Sequence, residues 1–299
     1  LSINTTMNYI AQDRRSMYAP MENRMTVEDP FSSLMLIDIM ATELCNLTCE
    51  FCPRAHGYPN QNLHMDLSIV DRVSRDLANS HYQNRILYCG FGESLLYRDL
   101  TASIRLFKRH MPWQENIHLV TNGDRLTLAK MQELRDAGVN KFFVSMYDGA
   151  HQEDHFRELF ERAGVDVSCY ILQHYYKPPE ENYGFLYLSN RAGYLFEEEQ
   201  VTLGCNIPFY AMSLHWNGDV LLCSHDWEKK QVMGNVMTTS IVDIWLHSKR
   251  LWEFRRKLAK GRTCDPCNRC NIKGVLYGDS SRETLMEAPL LIPTEPHLS

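Results

Sequence analysis

The chain has 299 residues, 44% of them hydrophobic and 23% charged, with ten cysteines and a formal net charge of −6. That length holds one large domain plus a smaller one, and the acidic balance, with no dense Lys/Arg block, argues against an extended nucleic-acid surface. Its apolar stretches are too short to span a bilayer, and the start Leu1-Ser2-Ile3-Asn4-Thr5-Thr6 lacks a basic-then-apolar export signal, so no membrane contact and a cytoplasmic location are expected.

Residues 1–33 are polar, with two prolines and no sustained periodicity, and read as an N-terminal extension. From residue 34 strand-like and helix-like segments alternate. The strands are expected at Leu34–Met40, Ile86–Phe91, Ile117–Thr121, Lys141–Tyr147 and Asp166–Leu172, each short and rich in Ile, Val, Leu, Phe or Tyr. Amphipathic segments separate them at Ser68–Ala78, Asp99–His110, Thr127–Ala137 and His151–Ala163. Thr127 is placed as an N-cap and Gly138 as a helix stop. Repeated units of this kind imply a parallel sheet, open or curled into a barrel, with the site at the C-terminal strand ends.

The turns after these strands carry the chemistry. The first is Cys45-x-x-x-Cys49-x-x-Cys52, followed by Gly90-Phe91-Gly92-Glu93-Ser94, Thr121-Asn122-Gly123-Asp124 and Tyr147-Asp148-Gly149. Thiolates at the first spacing suit soft iron, and three of them leave one iron of a four-iron cluster open to another ligand. A structural zinc site completed by His56 or His64 is the alternative. The run His151-Gln152-Glu153-Asp154-His155 sets two histidines at i and i+4, but its glutamate is misplaced for metalloprotease chemistry, and it reads as a solvated helix start.

After Gly204 the texture changes. Trp216-Asn217-Gly218-Asp219-Val220 reads as a hairpin, a helix is expected from Ser240 to Lys260, and Gly261 ends it. Cysteines recur at 205, 223, 264, 267 and 270, and their clustering reads as metal ligation in a reducing compartment rather than as a disulfide framework. The last residues, from 281, carry three prolines and read as a tail.

The three-cysteine loop after a first β/α strand resembles the radical S-adenosylmethionine (radical SAM) superfamily. The resemblance implies an α/β fold: a partial (β/α) barrel over 34–195, then a small C-terminal auxiliary iron–sulfur domain of the twitch/SPASM kind over 196–280. It also implies a 4Fe–4S cluster on Cys45, Cys49 and Cys52 that binds SAM, and a flavodoxin- or ferredoxin-type reductant. By the same resemblance Phe51 abuts adenine, Gly92 and Glu93 receive the SAM ammonium, and Asn122 and Ser145 hold its ribose or carboxylate. An auxiliary 4Fe–4S cluster falls to Cys205, Cys223, Cys267 and Cys270, with a four-cysteine zinc site as the alternative.

Val120-Thr121-Asn122-Gly123-Asp124, Leu188-Ser189-Asn190-Arg191, Val232-Met233-Gly234-Asn235 and Asp243-Ile244-Trp245 are similar to the 2-deoxy-scyllo-inosamine dehydrogenase family of butirosin assembly. That likeness implies oxidation of a carbinol carbon to a ketone on a sugar, cyclitol or nucleoside-like small molecule, with Arg191 at the substrate hydroxyl. An arginine stays protonated, so its role is to orient the hydroxyl and stabilise charge. His225 stands where that family has an acidic residue, and Phe91 where it has an aromatic hydroxyl, so a different polyol is expected. Cys264 is surplus to the cluster. As a hydrogen donor it, or else Cys89 or Cys169, would turn the chain into an epimerase. A peptide-modifying enzyme is the third reading, and the 44 residues before Cys45 are short for a leader-binding domain.

Overall fold

The computed structural model describes residues 18–176, 189–197 and 202–288. Leu188, the first part of the expected extension and the end of the expected tail lie outside them.

Six parallel strands, β1 (Leu36–Met40), β2 (Arg85–Tyr88), β3 (Ile117–Thr121), β4 (Lys141–Met146), β5 (Tyr170–His174) and β6 (Ala211–His215), run in the order β5-β4-β3-β2-β1-β6. The antiparallel strands β7 (Asp219–Leu221) and β8 (Val232–Asn235) extend the same sheet beyond β6. Helices Leu67–Asn79, Leu100–His110, Leu128–Ala137 and His151–Arg162 make the crossovers between successive strands from β1 to β5. Among the described residues β5 and β8 are the sheet edges, so the barrel is partial.

Strand alternation separates two environments. Ile37, Ile39, Ile86, Tyr88, Ile117, Leu119, Phe142 and Val144 are buried in one core with Val70, Val73, Ile104, Phe107, Met131, Leu134, Phe156 and Phe160 of the helices. Each such side chain contributes about 1.5–3 kcal/mol by leaving water. On the other face Leu36, Asp38, Arg85, Leu87, Val120, Phe143, Ser145, Ile171 and Gln173 turn inward and line a cavity.

The expected caps are present. Thr127 accepts from Lys130 N at 3.1 Å, and Gly138, at φ 124°, ends that helix. The hairpin turn also stands: Asn217 Oδ1 accepts from Asp219 N, and Gly218 takes φ 88°.

Three expectations need correction. The helix read from Ser240 to Lys260 is two, Ile241–His247 and Lys249–Lys260, because Ser248 leaves helical geometry and caps the second through Leu251 N. The fifth strand starts at Tyr170 rather than Asp166, since Asp166 caps a 3-10 turn over Val167–Cys169 through Ser168 N. In the region after 196, β6 pairs in parallel with β1, from Leu36↔Ala211 to Met40↔His215, and so continues the barrel sheet. The tail from 281 begins inside a helix, Asp279–Glu287, whose Leu285 is fully buried and whose Ser281 Oγ donates to Ser33 O at 2.9 Å. Tyr18, Met21 and Phe31 of the N-terminal extension are buried as well.

Candidate active site

One cavity of about 410 Å3 occupies the inside of the sheet and runs from Leu36 and Arg85 at the strand starts to the turns at the C-terminal strand ends. That size suits a bound cofactor or small molecule. Cys45, Cys49 and Cys52 all line it, with Phe51, Gly90, Phe91, Gly92, Glu93, Asn122, Ser145 and Arg191. The turns expected to share a face therefore do share one.

The cysteine loop is held by its backbone. Asn60 Oδ1 accepts from Cys45 N at 3.0 Å while its Nδ2 donates to Cys45 O at 2.9 Å. Cys52 N donates to Cys49 O at 2.9 Å. Arg54, buried, donates to Phe91 O at 3.0 Å, to Pro59 O at 2.9 Å and to Glu43 O, strapping the loop to the glycine turn. Gly92 is needed for that approach, because a Cβ there would meet Thr42 O at 2.5 Å and Leu44 O at 2.7 Å. Burial pushes the Cys49 thiol up to about 12 and, next in weight, Cys52 and Cys45 reinforce the shift, so the thiols sense one another. His56 and His64 bond Glu50 O and Asn62 Oδ1, and neither lines the cavity.

Glu93 is buried, and its carboxylate accepts from Leu95 N at 2.9 Å, Thr121 Oγ1 at 2.5 Å and Asn122 N at 2.8 Å. Burial raises its carboxyl despite these donors. It thus ties the glycine turn to the end of β3. Asn122 Nδ2 donates to Asn46 Oδ1 at 2.9 Å, linking β3 to the cysteine loop, and Ser145 Oγ lies 3.1 Å from Gln173 Oε1. Phe51 stands 5.7 Å from Tyr147 and 6.4 Å from Tyr175, which stack on each other at 5.5 Å. An aromatic wall of this kind suits a flat ring such as a nucleobase.

The Ser-Asn-Arg run is docked on the auxiliary region. Asn190 N donates to Asn271 Oδ1 at 2.9 Å, Asn271 N returns to Asn190 Oδ1 at 3.2 Å, and Asn190 Nδ2 donates to Arg269 O at 2.7 Å. Arg191 and Ala192 both take left-handed backbone, φ 51° and 55°, uncommon for non-glycine residues. Arg191 is half-buried; desolvation lowers its pKa, while nearby thiols and phenols, Cys52 first, favour its charge. Its Nε is buried without a hydrogen-bond partner among the described residues. His225 lines the same cavity, 3.3 Å from Ser189 Oγ.

Cys205, Cys223, Cys267 and Cys270 line a second cavity, and Cys264 lines neither. Burial raises Cys205 to about 11 and Cys223 well above its usual value. Cys264 hydrogen-bonds the Cys267 thiol, which holds its own thiol low. Cys264 is thus set beside the auxiliary thiols rather than on the wall of the main cavity. Cys89 does line that cavity, its thiol 3.5 Å from Asp38 Oδ1. His151 and His155 head an exposed helix start away from the cavity.

The radical SAM superfamily pattern matches residues 39–169, and that of the SPASM iron-sulfur cluster-binding domain matches residues 205–271. The chain is a radical SAM enzyme. It is 29% identical over 242 residues to the S-adenosyl-L-methionine-dependent 2-deoxy-scyllo-inosamine dehydrogenase of Niallia circulans, spanning 79% of this chain and 92% of that one. The crystal structure of BtrN in complex with AdoMet and 2-DOIA is similar at TM-score 0.70 and 29% identity, over 83% of this chain and 96% of that one. BtrN in an open conformation gives TM-score 0.58 at 26% identity, over 80% and 92%.

The cofactors of this radical SAM enzyme are SAM, a SAM-binding 4Fe–4S cluster and an auxiliary iron–sulfur cluster. The thiols fit them: three open onto a cofactor-sized cavity and four enclose a second one. Among the described residues no group of three or more His, Cys, Asp or Glu is drawn together as for a single ion, and a four-iron cube needs its thiolates spread around a larger body. Among the described residues no helix is long and apolar enough to cross a membrane.

Arg54, Asn60, Gln173, Tyr175 and Trp227 are site residues that no motif singles out. Tyr147 is legible as the inward residue ending an expected strand. Arg54 and Asn60 leave no signal, because their partners are backbone atoms chosen by the fold.

Proposed function

We propose that the chain oxidises a hydroxyl-bearing carbon of a cyclitol, sugar or nucleoside-like small molecule to a ketone. The observation that carries this reading is Arg191: a half-buried guanidinium on the wall of the thiol-lined cavity, whose buried Nε has no hydrogen-bond partner among the described residues. A buried donor of this kind wants an oxygen acceptor. When bound, SAM and its cluster supply hydrogen-atom abstraction from carbon, and the auxiliary cluster supplies an acceptor for the remaining electron.

The residues divide the work. Cys45, Cys49 and Cys52 hold the first cluster, and Cys205, Cys223, Cys267 and Cys270 the second. Phe51 with Tyr147 and Tyr175 walls the adenine side. Gly92 keeps the turn close to the cysteine loop, Glu93 braces that turn against β3, and Asn122 and Ser145 face SAM. Arg191 orients the substrate hydroxyl and stabilises charge as its proton leaves, while His225 stands beside Ser189 to take that proton. Asp38, Arg85 and Gln173 add polar groups deeper in the cavity, suited to further hydroxyls. Ten free cysteines agree with a reducing cytoplasm and a flavodoxin- or ferredoxin-type reductant.

The relatives make aminocyclitols the first probes, with hexoses and nucleosides beside them. Anaerobically reconstituted enzyme, reduced with dithionite, should form 5′-deoxyadenosine and one ketone in equal amounts from one of these. Cleavage of SAM with no oxidised product from any of them would overturn the substrate class. Epimerisation is the second reading, favoured by the Cys89 thiol on the cavity wall and no longer by Cys264. It predicts solvent deuterium in the product without net oxidation, abolished by Cys89→Ala and untouched by Cys264→Ala.

A further inference from the structure

Two residues before Cys45, the Glu43 side chain is completely buried. A buried carboxylate is costly unless its partners are close and well directed. Its partners come from three segments. Tyr58 Oη donates to Oε2 at 2.8 Å, His215 Nε2 lies 2.8 Å from Oε1, and Lys229 Nζ is paired with Oε1. Tyr58 belongs to the segment following the first cysteine loop, His215 ends β6, and Lys229 follows Cys223. Lys229 takes left-handed backbone, φ 53°, to make this contact. Burial pushes the carboxyl up, but the bonds from His215, Lys229 and Tyr58 outweigh it and hold it at about 2.

None of Glu43, Tyr58, His215 or Lys229 lines either cavity. Glu43 therefore touches neither substrate nor SAM. What it does touch is the loop that bears Cys223 together with Ser224, His225 and Trp227, which do line the main cavity. Trp227 packs on Phe91 of the glycine turn at 4.3 Å and on Tyr58 at 4.9 Å. The ion pair and the aromatic cluster hold one loop against the other from two sides.

We infer that Glu43 is a positioning residue that fastens the Cys223–Lys229 loop to the Cys45–Cys52 loop, fixing the substrate between the group that removes hydrogen and the group that accepts the electron. The inference rests on the oxidative reading above. In that reaction carbon loses a hydrogen atom to the deoxyadenosyl carbon, oxygen loses a proton to His225 or solvent, and one electron passes to the auxiliary cluster as C–O becomes C=O. When the loops separate, hydrogen abstraction continues but the electron transfer no longer follows each event.

The test compares holoenzymes carrying wild-type sequence, Glu43→Gln and Lys229→Met, the second because Lys229 is partly exposed and leaves Glu43 its bonds to Tyr58 and His215. Two readouts are taken. Hydrogen exchange of residues 223–231, measured without substrate or reductant, should accelerate about fivefold or more in both variants at unchanged iron content. With the best polyol of the panel, the ratio of 5′-deoxyadenosine to ketone should rise about fivefold while SAM cleavage holds its rate. Unchanged exchange and an unchanged ratio, or a parallel fall of both products, overturns the inference. If wild-type enzyme forms no ketone, the functional reading fails on its own, and the exchange arm still decides the fastening. Should Glu43→Gln lose iron, Lys229→Met decides between these outcomes.

Discussion

Cys45, Cys49 and Cys52 sit on one loop and face a wide cavity, whereas Cys205, Cys223, Cys267 and Cys270 are gathered from three separate segments around a smaller one. All seven thiols are half-buried, but the first group hangs on a strand end, with its loop held by Asn60 and Arg54. The second is held by contacts between distant segments. Cys205 is anchored by its N–H on Leu258 O, Gly274 would meet its Sγ if it carried a Cβ, and Arg262 braces Cys270 O at 2.9 Å. The difference teaches that one thiol group can be local in sequence, while the auxiliary one is a product of tertiary packing.

Removing one thiol from each group should give different failures. Cys49→Ala should abolish 5′-deoxyadenosine formation completely while leaving the melting temperature within about 2 °C of wild type, read by product assay and calorimetry. Cys223→Ala should keep SAM cleavage but lose the ketone, and should lower the melting temperature by about 5 °C, because it opens a site on which three segments meet. Identical losses in the two variants would erase the distinction.

Between the groups stands Arg191. Arg191→Gln keeps a donor but loses the charge, and should lower ketone formation about 10–100-fold at unchanged iron content, the size of one charge-assisted hydrogen bond. Steady-state assays at saturating SAM measure it. Arg191→Lys should recover little of this, since an ammonium cannot reproduce the planar fork.

The smallest effect concerns the sheet that carries both groups. His118 on β3 is buried, and desolvation first, with Arg85 and Lys141 adding to it, lowers its pKa from 6.5 to about 3. The unfolded chain therefore takes up the proton first as pH falls, so this histidine's neutral burial stabilises fully above about 6.5 and is lost on the way down toward 3. Glu43 adds no slope in that upper window, because it is ionised in both states until pH falls below about 4.5. Melting temperatures at pH 7.5 and 5.5 should therefore converge in His118→Gln relative to wild type, and an unchanged gap would show the histidine is not the group responsible.

Strand–helix alternation made the five-strand series legible, because a strand buried on one face and lining a cavity on the other keeps its period. The three-cysteine spacing, the Thr127 cap and the Asn217-Gly218 turn were legible for the same reason: each is a local contact between near neighbours. The Ser248 break and the Asp166 cap were equally local yet were hidden, since a serine or aspartate reads as helix, strand or cap according to which backbone N–H it finds.

What the sequence determined by itself was the radical SAM loop, the order of the β/α units and the identity of the thiols. Only the tertiary structure decided that β6 joins β1 in one sheet, that Asn190, next to Arg191, is held by Asn271, that Cys264 lies off the cavity wall while Cys89 is on it, and that Glu43 ties the two loops together. The physical reason is sequence distance. Spacing records contacts that a few residues of chain impose, whereas a buried carboxylate or guanidinium takes its partners from segments that meet only once the apolar core has closed.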